Sequence, residues 1–321
     1  MKHKILFIST LISVLSFLFV TYGCSTAPGG TVASTYDKPG PYAVIRLLNQ
    51  GMGTISTGTQ GYAPLGNNND PSAFTLYYPK GVRAGERFPL LTWGDGTLTT
   101  PTFYDEIIGH VVSYGFIVIG TNTGETGSGV EMLEAVEWAL EQNSQPGSPI
   151  YGMVDSENIG AFGHSQGGSG TCMTGADPRI DAIASLSGVP LLDLTATDSV
   201  DIASVEKIQC PAIFITSAGE YSSTGMMGNM GKGSETAFNA ANVPSVFAVT
   251  AAGDHGEYQD IDDNVYFPYV TSNDALQTRG AVAAWFDWQL KGKSELKSYF
   301  MGENCEFCKS PNFSLFKSKG F

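Results

Sequence analysis

Apolar runs of strand length recur through the middle of the chain, at 74–78, 89–93, 116–119, 158–162, 182–186, 212–216 and 246–249. Stretches of helical length or spacing lie among and after them, at 103–114, 130–142, 166–175 and 274–290. The last of these places Val282, Trp285, Phe286 and Leu290 on one apolar face. Strand and helix in succession bury their apolar surfaces as a mostly parallel sheet covered by helices on both sides. The expected class is α/β, with 43–300 as one domain around a single large core. The span 188–209 between two of the strand runs is too short for a large cap, which implies little or no lid.

Residues 1–24 stand apart from this pattern. Lys2, His3 and Lys4 precede an apolar run from Ile5 to Val20 interrupted only by Ser and Thr. Basic start, apolar run and small residues after it are the pattern of an export signal, and the run is shorter than a spanning helix needs. Thr21-Tyr22-Gly23-Cys24-Ser25 is similar to a bacterial lipobox, in which Cys24 would be lipidated and tether the protein to a membrane; ordinary cleavage near Ala27 is the alternative. The expected destination is outside the cytoplasm: secreted, periplasmic or lipid-anchored at the bacterial envelope. Residues 25–42, rich in Gly, Pro, Ser and Thr, read as a linker or arm.

A net charge of −14 argues against nucleic acid or an anionic membrane surface as a partner, because both require basic patches. Setting Cys24 aside leaves Cys172, Cys210, Cys305 and Cys308, an even number for an oxidising compartment. Cys305 and Cys308 form a CxxC in the tail 301–321, where a local disulfide is expected over a redox or zinc site. Cys172 and Cys210 either pair with each other or remain buried thiols.

The chemistry concentrates at Gly163-His164-Ser165-Gln166-Gly167. Such a pentapeptide is weak evidence alone, but here it follows a strand run ending at Phe162 and opens a small-residue helical stretch. That strand–turn–helix context is what a nucleophile elbow requires, with Gly163 and Gly167 avoiding collision in the tight turn. A serine hydroxyl needs a base, and the chain has four histidines: His3, His110, His164 and His255. Only His255 follows the serine in the order of nucleophile, acid and base, in a loop after the 246–249 run. Glu220, directly after the 212–216 run, is the expected acid, with Asp193 and Asp198 as alternatives.

Two backbone amides should hold the oxyanion: that of Gln166 and, in Trp93-Gly94-Asp95-Gly96-Thr97, that of Asp95, with Gly96 as fallback. Trp93, Gly96, His164, Met226 and Met227 are candidate substrate contacts. Met226, Met227 and Met230 sit in a glycine-rich segment read as a loop, and could form a soft acyl pocket or serve as core fillers. Tyr258 is a further candidate cleft aromatic. No metal or organic cofactor is implied.

With these residues in place, the sequence resembles the bacterial polyesterase–lipase–cutinase group and related chlorophyllase-like hydrolases, of the α/β-hydrolase superfamily. The resemblance is carried by Gly40-Pro41-Tyr42, by Leu76-Tyr77-Tyr78-Pro79, by the segment Ser113 to Ile119 and by Gly163 to Gly168. It implies an α/β-hydrolase fold and a serine carboxylic-ester hydrolase acting on lipids or polyesters such as PET. The chain departs from the group at Gln166, where Met is usual, and at Glu220, where Asp is usual. It departs again at Trp93-Gly94-Asp95, where the group carries Pro-Gly-Tyr and an aromatic clamp. The other readings are a carbohydrate-ester or peptide hydrolase on the same scaffold, and an inactive binding protein.

Overall fold

Side chains of the strand Phe88–Gly94 alternate between two apolar layers, Leu90 entering one and Leu91 and Trp93 the other. That period of two places core on both faces of the sheet. The structure is a computed structural model and describes residues 33–52, 72–193, 196, 199–260 and 275–321. The signal segment, Cys24 and Asp198 lie outside the described residues.

The strands are β1 (Val44–Met52), β2 (Ser72–Pro79), β3 (Phe88–Gly94), β4 (Ile117–Thr121), β5 (Val154–His164), β6 (Ala182–Leu186), β7 (Ala212–Thr216), β8 (Ser245–Thr250) and β9 (Phe313–Lys319). The helices are α1 (Ala33–Tyr36), α2 (Asp105–Ser113), α3 (Val130–Ser144), α4 (Gln166–Thr174), α5 (Ile202–Val205), α6 (Ala218–Ser222), α7 (Gly225–Ala240), α8 (Ala275–Lys291) and α9 (Lys297–Phe300). The sheet order is β1-β2-β4-β3-β5-β6-β7-β8-β9. Strands β3 to β8 run parallel, while β1, β2 and β9 pair antiparallel at the two margins. This is an α/β-hydrolase fold.

Residues of α2 and α8 share one core layer with Leu91, Trp93 and Phe162, among them Ile107, Val111, Trp285 and Phe286. Met132, Val136, Cys172, Ala237 and Phe238, from α3, α4 and α7, share the other with Leu90, Ile119 and Phe214. Between β6 and β7 the described residues hold one helix, the short α5, in keeping with the expected lack of a large cap.

Several elements depart from the sequence reading, among them α1, which lies in the segment read as a linker or arm and buries Tyr36 in the core. The expected tail contains β9, which pairs with β8 and contributes Phe313 to the core, so the sheet continues beyond 300. β1 was hidden because its pairing shifts register between Leu47 and Gln50, where Asn49 takes a left-handed φ of 58°. The segment carrying Met226, Met227 and Met230 is the helix α7, not a loop. Cys305 and Cys308 form a disulfide. Cys172 and Cys210 do not pair: both are buried free thiols, and burial pushes each thiol up to about 12.

Candidate active site

Six parallel strands deliver their carboxyl ends to one edge of the sheet, where α/β folds place their ligand sites. Ser165 stands between the last residue of β5 and the first of α4, with φ 57° and ψ −118°. That left-handed conformation is costly for a residue with a Cβ and turns the side chain out of the strand. The turn is fixed by its surroundings: the Ser165 N–H donates to the Leu186 carbonyl at 2.9 Å. A Cβ on Gly167 would lie 1.9 Å from the Gly94 carbonyl oxygen, so only glycine lets the elbow pack against the end of β3.

His255 follows β8, and its Nε2 lies 2.9 Å from Ser165 Oγ. Its Nδ1 lies 2.6 Å from Glu220 Oε1. The loop bearing His255 is tied at both sides of the site: the Gly219 N–H donates to the Gly253 carbonyl at 3.0 Å, and the Asp260 N–H to the Phe103 carbonyl at 2.8 Å.

Glu220 is buried at the third position of α6 and forms a capping box with Ser217. Its Oε2 accepts from Thr216 Oγ1 at 3.2 Å, from Ser217 Oγ at 3.0 Å, from the Ser217 N–H at 3.3 Å and from Ser187 Oγ. Donors converging on one oxygen leave the other turned to His255. The helix start thus explains how a glutamate fits here: it reaches back over its own first turn. Asp193, the alternative acid, is exposed, and the imidazole is engaged by Glu220.

A cleft of about 420 Å³ opens over Ser165 and His255. Val189, Leu191, Met226, Met227 and Met230 line it, and Gly96, Thr97, Gln166, Ser169 and Gln259 supply its polar lining. Of the expected substrate contacts, Gly96, Met226 and Met227 lie on the cleft. Trp93 does not. It is fully buried, sharing the Leu91 face of a central strand, and its ring packs on Tyr104 and Phe162 at 4.8 and 4.7 Å. Tyr258 is also fully buried, with its ring 4.8 Å from that of His164.

His164 forms part of the cleft floor but is 1 % exposed and spends both ring nitrogens internally. Burial first, and the neighbouring His255 second, hold its pKa well below the ordinary histidine range, against the opposing effect of its bond to the His255 main chain.

Asp95 is fully buried and is not among the residues that line the cleft, and its carbonyl accepts from Thr126 Oγ1 at 2.7 Å. Its carboxyl receives the Trp93 indole N–H at 2.6 Å, and burial drives its pKa well above the usual carboxylate range, which favours the neutral acid. The cleft wall of this loop is made by Gly96 and Thr97. The Gly96 N–H is engaged by Tyr104 Oη at 3.1 Å. Thr97, Ser187 and Gln259 were missed from sequence because each acquires its place from the path of a loop; position just after the β3 glycines was the one available signal for Thr97.

A family model described as PET hydrolase-like matches residues 30–252. The chain belongs to the PET hydrolase-like family. It is therefore a carboxylic ester hydrolase of a polyesterase family on an α/β-hydrolase fold. The match holds β1 to β8, Ser165 and Glu220, and ends three residues before His255. In this PET hydrolase-like chain His255 lies beyond the matched residues, and its ring meets Ser165 and Glu220 at 2.9 and 2.6 Å.

Proposed function

We propose that the chain is an exported serine esterase that cleaves aliphatic or otherwise bulky carboxylic esters, polymeric or lipid, through an acyl-enzyme. The observation that carries this reading is the continuous line from Glu220 Oε1 through the His255 ring to Ser165 Oγ. In this reading His255 Nε2 takes the Ser165 proton as Oγ attacks the ester carbonyl carbon, and the carbonyl π pair moves onto oxygen. Glu220 holds His255 with its proton on Nδ1 and balances the imidazolium. Collapse of the tetrahedral intermediate expels the alcohol, which leaves with the proton from Nε2. Water, deprotonated by the same nitrogen, then attacks the acyl carbon and frees the carboxylic acid and Ser165.

The oxyanion is assigned to the amides of Gln166, at the start of α4, and Thr97, which lines the cleft beside the engaged Gly96 amide. Helix N-terminal amides suit developing negative charge, and one such donor is worth about 10²–10³ in rate. Val189, Leu191 and the three methionines give the acyl side a flexible apolar wall suited to aliphatic chains.

Export is supported by the 1–24 pattern and is compatible with the Cys305–Cys308 disulfide. Metabolic labelling with a fatty acid, lost in Cys24→Ser, tests the tether; a mature chain starting after Cys24 and carrying no lipid counts against it.

A fluorophosphonate probe is expected to label wild-type protein and not Ser165→Ala. A panel of p-nitrophenyl esters, triglycerides, aliphatic polyesters and acetylated sugars then reads the substrate. Hydrolysis of acetylated sugars alone would replace the proposed substrate class.

A further inference from the structure

Tyr104 closes the 3₁₀ turn Pro101–Tyr104 and is fully buried, with its ring held 4.8 Å from that of Trp93. Its hydroxyl meets polar atoms from three separate segments. Gly96 N and Thr99 Oγ1 each lie at 3.1 Å, His164 Nδ1 at 3.0 Å and Gln259 Nε2 at 3.2 Å. A phenol has one proton to give and room to accept about two, so these contacts must be shared out.

The far side of His164 settles the sharing. His164 Nε2 is 2.7 Å from the His255 carbonyl oxygen, which can only accept. The imidazole proton therefore sits on Nε2, and Nδ1 is the acceptor that the Tyr104 hydroxyl donates to. Tyr104 Oη in turn accepts from the Gly96 N–H and from Gln259 Nε2. The Thr99 hydroxyl has its own acceptor in the Gly96 carbonyl, at 2.7 Å. One directed chain results: Gly96 N–H to Tyr104, Tyr104 O–H to His164, His164 Nε2–H to the main chain of His255. Tilted ring contacts flank the middle link, with the His164 ring 4.7 Å from that of His255 and 4.8 Å from that of Tyr258.

We propose that Tyr104 is a positioning residue for ester hydrolysis, coupling the loop of Gly96 and Thr97 to the main chain of His255 through a neutral His164. The inference rests on the roles proposed for Ser165, His255 and Thr97. Its consequence is that the donor to the oxyanion and the base keep one spacing while charge develops between them. Small misplacements at such a centre are costly in rate and leave ground-state binding almost unchanged.

The test is Tyr104→Phe, which keeps the ring and removes the hydroxyl, beside Tyr42→Phe, which loses a hydroxyl bonded to Glu86 near the opposite end of β3. Hydrolysis of p-nitrophenyl butyrate is followed below the melting transition and expressed per active site titrated with fluorophosphonate, so misfolded protein does not count. Tyr104→Phe is expected to lose about 10-fold or more in kcat with KM within about twofold, and Tyr42→Phe neither. Nitrogen NMR of histidine-labelled protein is expected to show His164 with its proton on Nε2, and its Nδ1 signal moving to the value of an unbonded acceptor in Tyr104→Phe. Wild-type kcat per site in Tyr104→Phe, or a His164 carrying its proton on Nδ1, overturns the proposal alone. A wild-type protein that neither labels nor hydrolyses ester overturns the reading of Ser165, and this inference with it.

Discussion

Glu220 offers the sharpest view of how single residues work here. One carboxylate oxygen gathers the donors of Thr216, Ser217 and Ser187, and the other meets His255 Nδ1 at 2.6 Å. Glu220→Gln keeps the shape but removes the charge and can place an amide N–H against Nδ1, favouring the wrong tautomer. By the logic of triads of this type, kcat is expected to fall by about 10³–10⁴, measured on a soluble ester, with the protein still folded by circular dichroism. A loss under tenfold assigns Glu220 to capping α6 alone. Much of this layer was legible in sequence: Ser165 from its strand–turn–helix context, His255 by chain order, Glu220 from the end of a strand run. Trp93 was misplaced although the signal was present, since its period-two partner Leu91 put it in the core. The burial of Asp95 and the place of Tyr104 were not legible. Which residue of a turn lines a cleft, and which phenol reaches under it, depend on contacts from segments far apart in the chain.

At the scale of elements, α7 is the instructive case. Gly225, Gly228, Gly231 and Gly233 all fall in it, so local preference argued for a loop. Tertiary packing overrides that preference, because a Cβ on Gly231 would come within 2.7 Å of the main-chain carbon of Glu220. Helix propensity alone makes Gly231→Ala stabilising by up to about 1 kcal/mol. Overpacking against α6 costs about 1–3 kcal/mol and displaces the acid, so the net effect is expected to be a lower melting temperature and a reduced kcat. An unchanged kcat with a higher melting temperature contradicts this packing account.

The contact of α1 with α2 carries a pH dependence. His110 in α2 lies 2.7 Å from the Tyr36 carbonyl, and burial pulls its pKa from 6.5 to about 4. The unfolded chain therefore binds a proton below about pH 6.5 that the folded chain refuses until about pH 4. Stability falls as pH drops through that window, by about 3 kcal/mol from this group, and the decline levels off below it. The buried His164 acts in the same direction. Denaturant unfolding between pH 7 and 4 is expected to show a shallower decline in His110→Gln than in wild type; equal slopes remove His110 from the account.

For the whole molecule, the question is where the folded unit ends. Composition and the strand–helix succession made the α/β class and the central strands readable, but the C-terminal segment read as a tail. Its hydrophobic residues gain meaning only against the sheet: β9 covers the margin of β8, and Phe307 and Phe313 enter the core. Truncation after residue 300 is expected to abolish the cooperative thermal transition, by exposing that edge and emptying part of the core. The disulfide closes no long loop, so breaking it with Cys305→Ser and Cys308→Ser should cost only about 2 kcal/mol or less, with the transition still cooperative. A truncated chain that unfolds like the full one returns 301–321 to the status of a tail.

In the proposed turnover Ser165 carries the acyl group. Rapid acid quench of protein mixed with p-nitrophenyl butyrate, followed by peptide mass spectrometry, would trap that intermediate. A butyryl adduct is expected on the Ser165 peptide, formed at least as fast as kcat and absent from Ser165→Ala, which is itself inactive. Ester turnover that persists in Ser165→Ala, or an acyl adduct formed at turnover rate on another residue, would contradict this role of Ser165.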